Sequence, residues 1–473
     1  MSVLRITEVT ARVVPVATRI PFRYGIAEMT RAPHVVVQLR TETPTGGATG
    51  WSSEHLPPKW FIKDATLPFA EEVAILSRAI LAALDAARGI QAEHAFAFVH
   101  ELDRQQAAWA ARAGVSGLVA GLGVALVERA LIDAVCRGEA KPFADALDDG
   151  TLGFTPADIH PELAAAAPFT ARRGREIAVR HTVGLADPLF DAQVTDDPGD
   201  GLPVSVESVI RRYGVTRFKL KTVGDVEADV SRIAGLLELC ERAGVDPRFT
   251  IDGNESMHTA DHLAGWVRGL YTSPVADALR ARLDAIEQPM YRDVALGAEA
   301  EAALAEVGSL APVIIDESDG AMDTVRRAMD LGYAGGTYKG CKGVFRGLAN
   351  AALVAHRDRP ERRTVLTAED LSTIPPLTVN QDLVVASAMG LRHIERNGHH
   401  YFARFAPLGA TLADRALAAH PDAFEFRDGA PRLRIEGGEL HIGSLLDAPF
   451  GLAPVPDPAG LTPLTEETAA ALA

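Results

Sequence analysis

Arg217-Phe218-Lys219-Leu220-Lys221, Asp252-Gly253-Asn254-Glu255, Ile286-Glu287-Gln288-Pro289, Ile315-Asp316-Glu317-Ser318 and Thr337-Tyr338-Lys339 follow one another along the chain. Each cluster closes a short apolar or β-branched run, the pattern of a strand end. From Lys221 the steps to Asp252, Glu287, Asp316 and Lys339 are 31, 35, 29 and 23 residues. One βα unit of an eight-unit barrel takes about 30 residues, at roughly 250 for the whole. Successive strand ends of such a barrel open on one mouth, so these charged residues are expected to converge there.

Outward from this stretch the alternation continues. Ile177 to Val183 predicts a strand before it; after it, helices over 344–357 and 376–389 frame strands at 364–366 and 393–394. Between the charged clusters, helical patterns fall at 226–243, 259–270, 299–307 and 322–331. Alternating β and α at this period predicts a parallel sheet. Eight strands without a long gap predict a modified TIM barrel, (β/α)7β or (β/α)8, over 177–402. Residues 1–136 read as an α+β domain. Its strands come first, as in Val35-Val36-Val37, and its Ala- and Leu-rich helices follow, with Val73, Leu76, Ile80 and Leu84 on one face. Residues 137–176 read as a connector with four prolines. The tail, 403–473, holds short strand patterns at Phe424-Glu425-Phe426, Leu433-Arg434-Ile435 and Glu439-Leu440-His441-Ile442, expected to return to the N-terminal sheet; residues from 452 onward read as partly loose.

The residue types at the mouth suggest a chemistry. Three carboxylates from consecutive strand ends (Asp252, Glu287 and Asp316) can surround one hard divalent cation, Mg²⁺ with Mn²⁺ as the alternative, and leave room for a substrate carboxylate. A proton beside a carboxylate is weakly acidic, and a cation on those oxygens stabilises the charge that its removal creates. Lys219 and Lys221 alternate by two and so share a strand face. Side by side, each ammonium is expected to lower the pKa of the other, as a general base near neutral pH requires. Lys339, on the sixth strand, faces them from across the barrel. Asn254 and Glu317 beside the acids, Glu369 after strand seven, Asn397 and His399 after strand eight, and Tyr24 from the N-terminal domain are candidates for supporting or substrate-contacting roles.

Bulk properties narrow the field. A formal net charge of −16 argues against a nucleic-acid surface. The apolar run from Gly114 to Cys136 is interrupted by Glu128, Arg129 and Asp133, so a buried helix is expected rather than a membrane span. Three scattered cysteines and no evident signal peptide point to a reducing, cytoplasmic setting. Self-association is open. Gly121-Leu122-Gly123 lacks the third glycine of a dinucleotide loop, and no His-Glu-x-x-His helix appears.

Taken together, Lys-x-Lys, Asp-x-Asn, Glu-Gln-Pro, Asp-Glu-Ser and a strand-six lysine resemble the enolase superfamily, in its mandelate racemase/muconate lactonizing enzyme group; the strand-six lysine is similar to the muconate-lactonizing branch. The resemblance implies an N-terminal capping domain completed by the C-terminal segment, and Mg²⁺ on Asp252, Glu287 and Asp316. It also implies Lys221 and Lys339 as the two bases, and Lys219 as modulator of Lys221 and contact of the substrate carboxylate. In such proteins loops of the cap select the substrate, here Ile20 to Met29 and Glu54 to Phe61. The implied activity is α-proton abstraction from a small carboxylate through a metal-stabilised enolate: an isomerase or lyase acting as racemase, epimerase, dehydratase or cycloisomerase. Departures exist. Strand six continues Gly340-Cys341-Lys342-Gly343 in place of Arg-x-Gly-Gly, and strand eight ends Glu395-Arg396-Asn397, without the Asp-x-Asp that dipeptide epimerases use. A barrel hydrolase working through metal-bound water, and a non-catalytic carboxylate-binding barrel, are the alternatives.

Overall fold

The computed structural model describes residues 3–43, 46–402, 404–405, 407–408 and 411–473. The N-terminal sheet is antiparallel. Strands β1 (Leu4–Tyr24), β2 (Ala27–Thr43) and β3 (Gly46–His55) pair in sequence, and β4 (Gln91–Ala92) adds to β1. Against it pack α1 (Phe69–Ala87), α2 (Ala95–Ala113) and α3 (Gly117–Gly138). Helix α3 is buried from Leu118 to Cys136 apart from Gly121, as its apolar run requires. Ser116 caps it by accepting from Val119 N–H. Gly50 lets β3 approach this helix, since a Cβ there would stand 2.0 Å from the Ala130 carbonyl oxygen.

After the short α4 (Phe143–Asp148) the barrel begins. Its strands are β5 (Glu176–Val183), β6 (Arg217–Lys221), β7 (Arg248–Asp252), β8 (Leu283–Glu287), β9 (Val313–Ile315), β10 (Gly335–Lys339), β11 (Val365–Glu369) and β12 (His393–Arg396). Parallel ladders run from β11 round to β5 and on to β12, and β12 lies beside β11 to close the ring. The intervening helices are α5 (Val206–Tyr213), α6 (Val226–Ala243), α7 (Ala260–Thr272), α8 (Ala276–Arg282), α9 (Ala298–Val307), α10 (Thr324–Leu331), α11 (Val344–Arg357) and α12 (Leu377–Ala388). Among the described residues β12 is followed by the one-turn α13 (Gly398–Tyr401), which makes the barrel of the (β/α)7β kind. Along β6, Phe218 and Leu220 are fully buried on the helix side, which leaves Lys219 and Lys221 on the other face.

The tail departs from expectation. Helix α14 (Leu412–Ala419) precedes a separate hairpin, β13 (Phe424–Arg427) with β14 (Ala430–Leu433). Strand β15 (Ile435–Glu436) pairs with β16 (Glu439–His441), which runs antiparallel to barrel strand β5, not to the N-terminal sheet. After α15 (Gly443–Leu446), the return to the cap is made by the last segment: β17 (Thr462–Pro463) pairs with β1, and α16 (Glu466–Ala470) packs on α1. Strands of two to four residues carry an apolar pattern but no information about which edge they will join. Among the described residues no helix is long and apolar enough to cross a membrane.

Candidate active site

Barrel strands deliver their last residues to one mouth. Asp252, Glu287, Lys339 and Glu369 end β7, β8, β10 and β11, and Asp316 follows β9. All are buried, as are Lys219 and Lys221. The Lys219 ammonium lies at a focus of acids, 2.6 Å from Glu369 Oε2, 2.9 Å from Glu287 Oε2, 3.0 Å from Asp252 Oδ2 and 3.1 Å from Glu395 Oε2. Lys221 Nζ donates to Asp252 Oδ2 at 2.6 Å, and Lys339 Nζ to Asp316 Oδ2 at 2.6 Å. Lys342, one turn beyond, stands 2.8 Å from Asp316 Oδ1 and donates to the Thr337 carbonyl.

The backbone is shaped for this convergence. Asn254, Glu255 and Gln288 have φ of 42°, 64° and 34°, a region that non-glycine residues adopt at a cost. The Gln288 side chain accepts from the N–H groups of Asp316 and Ser318 and donates to the Met290 carbonyl, which fixes where Asp316 leaves β9. Asn254 donates from its backbone and its amide to the Asp252 carboxylate.

Glu287, Asp316 and Glu369 each offer a carboxylate oxygen within 4.8 Å of the others. Their electrostatics fit a divalent cation. Burial first, then the neighbouring Glu369, Asp252 and Asp316, hold Glu287 well above the usual carboxylate range. Glu395 is pushed up to about 7 by burial and by Glu369, and Glu317 to about 7 by burial and by Asp316. A divalent cation among these oxygens would reverse that strain.

Glu369 joins Glu287 and Asp316 in this group, and Asp252 lies beside it, its carboxylate drawn onto Lys219 and Lys221, which hold it well below its usual range against the cost of burial. Lys219 does stand beside Lys221, both on Asp252 Oδ2 at 3.0 and 2.6 Å, but its pKa is not lowered by that like charge as expected. Burial disfavours its ammonium, but the four surrounding carboxylates outweigh that and keep it charged well above its ordinary value. Lys339 is held charged in the same way by Asp316 and Glu369.

Above the mouth the cap closes a cavity of about 30 Å³. Phe22 and Tyr24 at the end of β1 and Pro57 and Trp60 beyond β3 form its roof, all within the two cap segments expected to face the site. The Tyr24 ring lies 5.9 Å from Lys221 Nζ and the Trp60 ring 4.7 Å from Lys339 Nζ, while Tyr24 Oη donates to the Pro58 carbonyl. Lys221, Lys339, Glu395 and Asn397 line the floor. Glu317 sits beside Asn254, its Oε1 3.4 Å from the amide nitrogen, outside the converging trio. His399 does not reach the cavity. It turns away against His181 and Tyr213 and lines a separate small hollow. Glu395, Lys342, Gln288 and Trp60 were not singled out by sequence; an acid two residues before Asn397 was the signal available for the first.

No protein-family model and no curated protein sequence matches the chain. Solved structures do. A mandelate racemase/muconate lactonizing enzyme from Bordetella bronchiseptica RB50 superposes with a TM-score of 0.60 at 18% identity, covering 100% of both chains. The chain has its fold. An enolase from Bradyrhizobium, complexed with magnesium and mandelic acid, gives 0.56 at 17% identity over 100% of this chain and 98% of that one. An N-succinyl Arg/Lys racemase from Bacillus cereus ATCC 14579 gives 0.57 at 15% identity over 86% and 91%.

Proposed function

We propose that this chain is an enolase-superfamily isomerase that removes the α-proton of a small carboxylate and returns one to the same carbon. The observation that carries this reading is the pair Lys221 and Lys339, which rise from strands four places apart in the ring and line the same cavity. A base on each wall suits removal from one face of a planar carbon and delivery to the other. Racemisation or epimerisation uses both; dehydration or cycloisomerisation needs mainly one.

Glu287, Asp316 and Glu369 would hold Mg²⁺, with Asp252 close by, and the ion would supply positive charge beside the substrate carboxylate as its second negative charge develops. Lys219 would neutralise the remaining acids and, beneath the cavity floor, add positive charge on the side of that carboxylate. Tyr24 and Trp60 exclude water above the two bases and cover each ammonium with a ring face. Each base would first have to part from its acid, Lys221 from Asp252 and Lys339 from Asp316; a cation held by Asp316 beside Asp252 would favour that release by drawing on those oxygens. The solved structures named above bear Mg²⁺ and mandelic acid in one case, and a racemase name in another, which agrees with this class.

The test is exchange of the α-proton in deuterated water with magnesium present. Lys221→Ala and Lys339→Ala are each expected to lose exchange for one stereoisomer only. Release of a 2-keto acid would replace the isomerase by a dehydratase, and full activity in Lys221→Met would overturn proton abstraction by this lysine.

A further inference from the structure

We infer that the substrate is a monocarboxylate whose side arm bears no charge and ends near Asn397 and Ser372; this deepens the proposed function and rests on it. The argument is a balance of charge over the cavity wall. Of the charged groups that line it, Lys221 and Lys339 are the proposed bases and Glu395 is engaged, accepting from Thr182 and lying 3.1 Å from Lys219. The fourth, Asp370, is closed off. It is ion-paired with Arg396, and it accepts from Ser372 N–H at 2.9 Å and from Thr373 Oγ1 at 3.1 Å. Arg396 is in turn fully buried and donates to the Thr373 carbonyl at 2.9 Å. A second carboxylate on the substrate would therefore find no guanidinium free to receive it, and a distal ammonium no free acid. A buried charge without a partner binds poorly.

What the wall does leave open is neutral. Asn397 is 2% exposed, lines the cavity, and its Oδ1 has no hydrogen-bond partner among the described residues. Ser372, 5% exposed, lines the same cavity. The rest is Phe22, Pro57, Leu371, the Trp60 ring and Tyr24, whose hydroxyl is already committed to the Pro58 carbonyl. An aliphatic or aromatic arm with one hydroxyl or amide N–H satisfies the Asn397 oxygen and buries apolar surface against the rings. At about 30 Å³ the cavity is no larger than a water or two would fill, so the arm enters only with the roof displaced.

The experiment is calorimetric titration of the whole chain, with magnesium in the buffer, by four six-carbon acids that differ only at the far end: 2-hydroxyhexanoate, 2,6-dihydroxyhexanoate, 2-hydroxyadipate and 6-amino-2-hydroxyhexanoate. The methyl- and hydroxyl-ended acids are expected to bind, the hydroxyl-ended one more tightly, and both charged ends to bind about tenfold or more weakly. Asn397→Asp should narrow the gap for the ammonium-ended acid alone. Equal or tighter binding of either charged end to the unaltered chain overturns the inference, as does binding of none of the four. Binding in the expected order without α-proton exchange in any bound acid would leave the arm's charge established and overturn the proposed reaction instead.

Discussion

Two regions of this molecule bury charge, and they do it differently. At the seam between cap and barrel each charge meets fixed partners in good geometry. Arg129 of α3 stands 3.1 Å from Glu54 on β3 and 3.3 Å from Asp382 on α12, and donates to the Gln381 side chain and the Thr378 carbonyl. Arg19 of β1, its side chain 3% exposed, binds the Asp200 carboxylate through two nitrogens and the carbonyls of Leu202, Pro203 and His400. Glu128 accepts from the first two N–H groups of α11. At the mouth, by contrast, ammonium groups on long stems share acids: Glu369 is within 3.1 Å of both Lys219 and Lys339, and Asp252 within 3.0 Å of both Lys219 and Lys221. A planar guanidinium in a matched fork fixes a geometry, whereas a lysine among several acids can exchange partners and protons. The seam holds the cap in place; the mouth is arranged for a cation and a proton to move.

The largest effects should separate the two regions cleanly. Lys221→Ala and Lys339→Ala at the mouth are expected to lower turnover by about 10²- to 10⁴-fold, the usual worth of a positioned acid or base. Stability, followed by urea unfolding, should change little, because Asp252 keeps Lys219 and Asp316 keeps Lys342. Arg129→Ala at the seam should do the opposite. It leaves Glu54 and Asp382 buried without their cation, at a cost of about 3–5 kcal/mol, and Arg129→Lys should restore only part. If Arg129→Ala left the unfolding midpoint unchanged, the contrast between the regions would be lost.

A middle-sized effect tests the mouth alone. Magnesium at about a hundredfold above its dissociation constant should stabilise the fold by about 2.7 kcal/mol. Glu287→Gln should abolish most of that gain, while Glu54→Gln should leave it intact. An equal magnesium response in both variants would remove the cation from the Glu287, Asp316 and Glu369 group.

Much of this division was legible in the chain. The alternation of Phe218 and Leu220 with Lys219 and Lys221 placed both lysines inside, since an inward lysine on a central barrel strand needs an acid to face. Helices α6 and α11 fall over the residues their periodicity marked. Other features were not local. Thr367-Ala368-Glu369-Asp370 holds two adjacent acids, and only the three-dimensional register sends Glu369 to the metal-type cluster while Asp370 pairs with Arg396. Trp60 reaches Lys339 through a loop of the cap, a contact 279 positions distant in sequence that no spacing announces. The strands after Phe424 carry a pattern but not a destination; β16 joins β5 at Glu176–Ala178, a stretch that β6, pairing only from Arg180, leaves open.

The smallest effect sharpens the comparison from the seam side, where two histidines are kept uncharged. His34 and His55 face each other across β2 and β3 with ring centroids 4.7 Å apart, both fully buried. Burial lowers His55 to about 3, and His34 falls well below its ordinary value from burial and from its neighbour. A histidine with a lowered folded pKa resists protonation only while folded, so the unfolded chain takes up more protons below its own pKa of about 6.5. Stability from this source is complete above that pH and falls as the pH drops toward about 3. The slope is about 1.4 kcal/mol per pH unit for each histidine. Urea unfolding at about pH 7 and about pH 5 should therefore show a smaller loss for His55→Gln than for the unaltered chain. Equal losses in the two would mean that the seam admits a proton at His55 without resistance, and that its charges are less firmly fixed than those at the mouth.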